Sequence, residues 1–256
     1  MIDLKLSHRN VLITGGTSGI GLAVADLFAG QGARIGIVGR SEERLKVALK
    51  TLRTARPEAR FVGATGDVAD EDSLRLAVTA IATQLGGIEH VVTSAGIAGP
   101  LGGAVEDVRA SDFIEIQRIN VLGTFLSVKL TLPYLKEASD PTYTLIGSDS
   151  GFVAAPGMLA YNASKGALVQ LTRALSVELH EPFGIRVNSV CPSVVDTPMA
   201  REGMEMASFD GVGYPVSTPE NIAWLVLCLA SPNSRALSGI SLLADYGYHA
   251  RSSFPA

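Results

Sequence analysis

Short apolar runs alternate along the chain with longer segments in which apolar residues recur every three or four positions. Residues 11–14, 34–38, 60–64, 88–93, 142–146 and 185–190 read as strands, each carrying Val, Ile or Leu. They carry no strict in-out alternation, the pattern of parallel strands covered by helices on both faces. Between them, residues 22–29, 42–55, 73–85, 112–132 and 161–179 show helical spacing, and Gly32, Pro57, Gly86 and Gly184 punctuate their ends. Strand and helix in strict alternation specify a Rossmann-type α/β fold, a doubly wound parallel sheet with right-handed crossovers. Ligands of such sheets bind beyond the carboxyl ends of the strands. The long connections there are residues 96–103, the segment after Pro192, and residues 199–215, the last a candidate lid.

No linker, charge block or internal repeat marks a second domain, and 256 residues with 47% hydrophobic content suit one α/β unit over residues 1–256. Within it the cofactor-binding part should occupy about residues 8–150, and the catalytic and substrate-binding part about 142–256. A net charge of −4, with Lys and Arg scattered, gives nucleic-acid binding no support and favours a small-molecule partner. Two cysteines, Cys191 and Cys228, build no disulfide framework or CxxC pair, and four dispersed histidines lack metal-ligand spacing. The expectation is a cytoplasmic protein without a metal. The most apolar stretch, residues 222–230, falls well short of the roughly 20 residues that cross a bilayer and reads as a buried helix.

Directly after the first strand comes Thr14-Gly15-Gly16-Thr17-Ser18-Gly19-Ile20-Gly21, then a helix. Side-chain-free positions let the backbone approach a pyrophosphate, which the amides and positive end of the following helix attract. A tight turn that binds nothing is the plain alternative. The second strand ends Val38-Gly39-Arg40-Ser41, with no carboxylate to hold the ribose 2′-hydroxyl of NAD. Arg40 offers a planar cationic fork to a 2′-phosphate and Ser41 a further donor, which favours NADP over NAD. Arg40 as a solvated strand-end residue, paired with Glu42 or Glu43, is the other reading.

Tyr161 and Lys165, four apart, project from one helical face, either as a pair that meets one ligand or as an ordinary Tyr and Lys on an amphipathic helix. An ammonium beside a phenol stabilises the phenolate and moves its pKa from about 10 towards neutrality, so Tyr161 can serve as acid and base. Ser148 follows the fifth strand where a hydroxyl can reach a substrate oxygen, although Ser148 or Ser150 can equally cap the local turn. Asn120 sits in a segment apolar on most sides, so its amide must bind backbone, water or Lys165, or satisfy a carbonyl in a bent helix. Asp149, if it faces the pocket, disfavours anionic substrates; as a solvated turn carboxylate it does nothing.

With these residues in place, the chain resembles the short-chain dehydrogenase/reductase family over nearly its whole length. The resemblance rests on Thr14-Gly15-x-x-x-Gly19-Ile20-Gly21, Asp67-Val68, Ala95-Gly96, Asn120, Ser148, Tyr161-Asn-Ala-Ser-Lys165 and Arg186-Val-Asn-Ser-Val-Cys-Pro192, followed by Asp196-Thr197. It implies that Tyr161 exchanges the proton with the substrate oxygen, that Lys165 holds the nicotinamide ribose and lowers the tyrosine pKa, and that Ser148 orients and polarises the carbonyl or alcohol. Asn120 would support a water-linked relay through Lys165. Gly15, Thr17, Ser18, Gly19, Ile20 and Gly21 would cradle the phosphates, with Asp67 and Val68 at the adenine, Ala95 and Gly96 at the adenosine ribose region, and Val195 and Thr197 at the carboxamide. Hydride transfer belongs to the nicotinamide.

The pattern departs at Thr93-Ser94, where Asn-Asn is frequent, at Ser193, where glycine is usual, and at Tyr246 within Asp245-Tyr246-Gly247, where Asp-Gly-Gly is usual. The activity implied is interconversion of a secondary alcohol and a ketone with NADP(H). A 3-oxoacyl thioester reductase is the enzymatic alternative, and a dinucleotide-sensing or scaffolding protein the non-enzymatic one. The resemblance also implies a homo-oligomer, tetramer or dimer, packed through the helices at 112–132 and 161–179 and the C-terminal strand. The aromatic-rich tail, residues 246–254, would pack on a neighbouring subunit or line the pocket.

Overall fold

In the computed structural model, which describes residues 3–251, seven parallel strands form one sheet in the order β3-β2-β1-β4-β5-β6-β7. They are β1 (Asn10–Thr14), β2 (Arg34–Gly39), β3 (Phe61–Thr65), β4 (His90–Thr93), β5 (Thr142–Ile146), β6 (Arg186–Pro192) and β7 (Ser241–Ala244). The order reverses between β1 and β4, so the crevice beyond their carboxyl ends is the topological switch point. Six strands correspond to the six apolar runs. β7 was not among them because its four residues, Ser-Leu-Leu-Ala, are only half-buried at the sheet edge and contain no β-branched residue.

Helices cover both faces. α1 (Gly19–Gly30), α2 (Glu42–Ala55) and α8 (Pro219–Ala230) lie on one, where Val24, Phe28, Ile222 and Val226 join Ile13 and Ile35 in a core. α8 is the buried apolar helix expected at 222–230. On the other face α3 (Glu71–Leu85), α5 (Gly123–Leu135) and α6 (Leu159–Phe183) pack through Leu74, Ile81, Leu126 and Leu168 onto Leu12, Val91 and Leu145. Polar side chains set several of the helix starts: Ser41 accepts from the Arg44 amide, Asp70 from that of Ser73, and Thr218 forms a reciprocal capping box with Asn221.

The helix expected at 112–132 is divided. α4 (Ala110–Gln117) runs into a π-helical turn, Arg118–Leu122, and then into α5. No Pro or Gly inside that turn announces it, and insertions of this kind gather at functional sites. The segment expected as a loop from 199 contains a short helix, α7 (Pro198–Gly203), started by Thr197, whose hydroxyl accepts from the Ala200 amide, and by Pro198 in its first turn.

Candidate active site

At the carboxyl ends of the strands lies a crevice of about 660 Å³. Its floor is the turn between β1 and α1. Gly15 has φ +71°, and a Cβ there would stand 2.6 Å from the Ala95 amide, so the turn touches the end of β4 only because Gly15 has no side chain. A Cβ on Gly21 would lie 2.5 Å from the Gly15 carbonyl oxygen, so this glycine closes the turn upon itself. Ser18 occupies the N-cap of α1, yet its side chain caps nothing and no acidic residue sits in the first turn. Instead the Ser18 hydroxyl accepts from the Arg44 guanidinium at 3.0 Å. The first amides and positive end of α1 therefore face the crevice without a side-chain competitor.

Gly15, Thr17, Ser18, Gly19 and Ile20 line this floor, as do Arg40, Ser41, Asp67, Val68, Ala95, Gly96, Val195 and Thr197 around it. Gly21 and Asn120 are absent from the lining. Asp67 is fixed by its own turn, its carboxylate accepting from the Ala69 amide at 2.9 Å and its amide donating to the Ser73 hydroxyl at 3.1 Å. Arg44 also lines the crevice and was not singled out in the sequence. The signal existed: Ser41 as N-cap puts Arg44 in the first turn of α2, on the side that reaches Ser18.

The opposite wall carries Ser148, Tyr161 and Lys165. β5 ends at Ile146, and Gly147 then passes so close to β6 that a Cβ would meet the Cys191 sulfur at 2.6 Å. Ser148 opens a 3-10 turn, Asp149–Gly151, whose Gly151 presses against the Lys165 carbonyl; a Cβ there would stand 2.7 Å from that oxygen. This contact sets the serine against the first turns of α6. The Ser148 hydroxyl accepts from the Ser150 amide at 3.1 Å and donates to Asp149 Oδ1 at 3.1 Å. The local cap is thus Ser148, and both serines line the crevice.

Lys165 is buried and donates from Nζ to the Ile146 carbonyl at 3.0 Å, with the ammonium 5.5 Å from the centre of the Tyr161 ring. Burial pushes the Tyr161 phenol up to about 12, against the hydrogen bond with Ser148, while the Asp149 and Cys191 charges add to the rise. Burial pulls Lys165 down to about 8. The phenol is therefore not moved towards neutrality by this lysine, contrary to expectation, because desolvation of an enclosed phenolate outweighs one ammonium that does not touch it.

Asn120 lies in the π-helical turn and does not touch Lys165. Its Oδ1 accepts from the Ile97 amide at 2.8 Å, and its Nδ2 donates to the Ile97 carbonyl and to the Ser164 hydroxyl, each at 3.0 Å. The buried amide is satisfied by clamping the strand-end loop to α6.

Three segments enclose the remaining end. Ile97, Ala98 and Leu101 come from the connection after β4, Val153 and Met158 from that after Ser148, and Met199, Gly203 and Met204 from α7 and its end. The first two are tied backbone to backbone, the Gly102 amide donating to the Gly157 carbonyl at 2.9 Å. Their glycines lie so close that a Cβ on Gly157 would meet Gly102 at 2.8 Å. Gly203 faces Leu101 across the opening.

Two departures from the family pattern have visible effects. Thr93 Oγ is buried without a partner, where an asparagine amide would have reached further. Tyr246 has φ +55°, a left-handed backbone that explains why glycine is usual there, and Ser217 donates to its hydroxyl at 3.4 Å. Ser193 forms an ordinary link, its amide donating to Ala244. Of the aromatic tail, residues 252–254 lie outside the described residues; Tyr246 and Tyr248 are exposed. Among the described residues no cluster of three His, Cys, Asp or Glu side chains could hold a metal ion, and no helix is long and apolar enough to cross a membrane.

Comparison with known proteins agrees with this geometry. Residues 15–249 match a family model described as enoyl-(acyl carrier protein) reductase. The chain is 33% identical over 253 residues to 2-(S)-hydroxypropyl-CoM dehydrogenase 3 of Xanthobacter autotrophicus, covering 95% of this chain and 97% of that one. It is 31% identical to an NADP-dependent (R)-specific alcohol dehydrogenase of Lentilactobacillus kefiri, over 96% and 99% of the two chains. The crystal structure of levodione reductase superposes with a TM-score of 0.89 at 28% identity, over 96% of this chain and 99% of that one.

Proposed function

The chain belongs to the short-chain dehydrogenase/reductase family and is an NAD(P)-dependent oxidoreductase acting on CH–OH groups; from that premise we propose that it interconverts a secondary alcohol and a ketone, with Tyr161 as proton donor and acceptor and NADP(H) as the favoured cofactor. The observation that carries this reading is the convergence of Ser148, Tyr161 and Lys165 on the crevice whose floor is the glycine turn.

A dinucleotide fits the crevice by its own geometry: the glycine turn that packs against the end of β4 only because Gly15 has no side chain, the start of α1 without a side-chain cap, and lining residues that run from Arg40 to Met204. Gly15, Thr17, Ser18, Gly19 and Ile20 would hold the pyrophosphate, with Gly21 shaping the turn from behind. Asp67 and Val68 would border the adenine, Ala95 and Gly96 the adjoining ribose, Val195 and Thr197 the nicotinamide end. Arg40 and Arg44 flank Ser41 at the end of β2, a pair of guanidinium groups suited to a 2′-phosphate. When bound, the cofactor supplies or accepts the hydride and, oxidised, brings a positive ring beside the phenol.

The chain's own part is acid–base work and orientation. A phenol held near 12 stays protonated at neutral pH, the form that donates a proton to a ketone oxygen as the neighbouring carbon receives hydride. In oxidation the phenol first loses its proton to solvent, and the phenolate oxygen then takes the alcohol proton as hydride leaves the neighbouring carbon. Lys165, at about 8, remains largely charged at neutral pH and is placed to hold the ribose beside Tyr161. Ser148 positions the reacting oxygen. Asn120, its hydrogen bonds spent on Ile97 and Ser164, is a positioning residue.

An acyl-carrier substrate is the second reading. Among the lining residues the cations are Arg40, Arg44 and Lys165, none in the three substrate segments, and Asp149 adds negative charge. This favours an uncharged ketone. A homo-oligomer is supported by apolar side chains left exposed on α5 and α6, among them Phe125 and Val177. Light scattering on the purified protein tests that. The redox reading is tested by incubating the protein with a panel of ketones and NADPH or NADH and following the nicotinamide absorbance. Turnover with NADPH exceeding that with NADH is expected; no turnover with either overturns it.

A further inference from the structure

Asp149 stands beside the Ser148 hydroxyl, and the proposed function gives it no contact with the substrate. It lines the crevice next to Ser148, and its carboxylate forms no ion pair among the described residues. Its side-chain partner is the Ser148 hydroxyl, which donates to Oδ1 at 3.1 Å. Around it the substrate segments are apolar, with Leu101, Val153, Met158, Met199 and Met204.

The direction of that hydrogen bond matters. Ser148 has one hydroxyl proton, and while it points at Asp149 it cannot be donated to a substrate oxygen. The oxygen's lone pairs are drawn on by the Ser150 amide and lie within hydrogen-bonding reach of the Tyr161 phenol. A substrate that merely presents a ketone must compete with a carboxylate for that proton. A carboxylate is the stronger acceptor. A substrate with a hydrogen-bond donor of its own on the carbon next to the ketone changes the exchange: the donor takes the Asp149 oxygen, and the Ser148 proton turns to the carbonyl.

Resting on the proposed ketone–alcohol activity, we propose that Asp149 is a specificity-determining residue that receives a hydroxyl or ammonium group on the carbon adjacent to the reacting carbon, and that this contact releases Ser148 to orient the carbonyl. Substrates of this enzyme are then α-hydroxy or α-amino ketones and the matching vicinal diols or amino alcohols, with an otherwise apolar body. A carboxylate at the same place is repelled.

The charge on Asp149 has a second effect on the same site. It opposes loss of the Tyr161 proton, together with Cys191 on β6. Removing the charge therefore eases formation of the phenolate needed for alcohol oxidation.

The test uses three ketones that differ at one carbon: acetophenone, 2-hydroxyacetophenone and phenylglyoxylate. Each is assayed with the protein, with Asp149→Asn and with Asp149→Ala, in the preferred cofactor, with dinucleotide binding measured in all three proteins. The native protein should prefer the hydroxy ketone over acetophenone in kcat/KM by about tenfold, the scale of one hydrogen bond to a charged group, and phenylglyoxylate should be the poorest. Asp149→Ala should bring the first two within about twofold. Asp149→Asn, which keeps an acceptor but no charge, should retain part of the hydroxyl preference, recover phenylglyoxylate turnover, and shift the pH profile of alcohol oxidation to lower pH. 2-Aminoacetophenone, assayed alongside, separates ammonium from hydroxyl recognition. Unchanged preference ratios in both variants, with cofactor binding intact, overturn the Asp149 assignment while the redox reading stands. Absence of turnover of every ketone by the native protein overturns both.

Discussion

At the amino end of the strands, Arg186 on β6 is buried and spreads its guanidinium over the carbonyls of Leu229, Ala230 and Ser231 at the close of α8, with Leu229 at 2.8 Å. Beside it His90 of β4 is wholly enclosed, its Nδ1 2.8 Å from the Thr142 hydroxyl. At the carboxyl end, Ser148 and Lys165 are likewise buried and Tyr161 half-buried, but all three line an open crevice. One end uses its polar side chains to finish hydrogen bonds the fold would otherwise leave broken; the other keeps them facing a cavity, where they remain free to change partner. Similar burial therefore leads to opposite roles, and what separates the two is the direction in which the groups face.

Five substitutions press on that contrast. The largest effect is expected for Tyr161→Phe, which should lower kcat by about 10³-fold, the scale of general acid–base catalysis, while dinucleotide binding by fluorescence titration and the melting temperature stay near native. Retained turnover would remove Tyr161 from the chemistry. Arg186→Met should do the reverse, costing about 3 kcal/mol in urea unfolding, because the end of α8 loses its donors, with kcat little changed in the protein that remains folded. A loss of activity larger than the loss of folded protein would show that the amino end reaches the site.

Arg40→Asp should move the ratio of kcat/KM for NADPH over NADH by about 10- to 100-fold towards NADH, and Arg44→Ala by less. An unmoved ratio in both would show that neither guanidinium reads the phosphate. The effect that is smallest at neutral pH concerns His90. Burial holds its imidazole down to about 3, below the 6.5 of an exposed histidine, so between these values the unfolded chain binds the proton and the folded one refuses it. Stability supported by the neutral ring is complete above pH 6.5 and declines as pH falls towards 3. His90→Gln should flatten that decline by about 1 kcal/mol per pH unit in unfolding measured from pH 7 to 4. Parallel slopes in the two proteins would mean that His90 is not the group refusing the proton.

Much of the carboxyl end could be read in the sequence because its constraints are local. Gly15 must lack a side chain, Tyr161 and Lys165 must be four apart on a helix, and Ser148 must directly follow a strand; each condition leaves a mark in residue type and spacing. The strand runs were equally visible, apart from β7, whose pairing with β6 and not its own composition makes it a strand. What spacing could not show was who touches whom. Asn120 was marked out as a buried amide, but its partners Ile97 and Ser164 come from 23 and 44 residues away. The π-helical turn that carries it has no composition of its own. The tyrosine pKa was misjudged for the same reason: a phenol's proximity to an ammonium is written in the sequence, whereas its enclosure is a property of the whole fold.

The contact between Gly102 and Gly157 has a consequence for evolving this enzyme. Because two of the three segments around the substrate are fastened at their tips, substitutions in them should act jointly, a change at Leu101 altering what is tolerated at Val153 or Met158. The segment bearing α7 has no such fastening to the 152–159 loop and meets Leu101 through Gly203. Room for bulkier substrates is then most easily made by varying Met199 and Met204 alone, so a library confined to that stretch should broaden substrate range with few compensating changes.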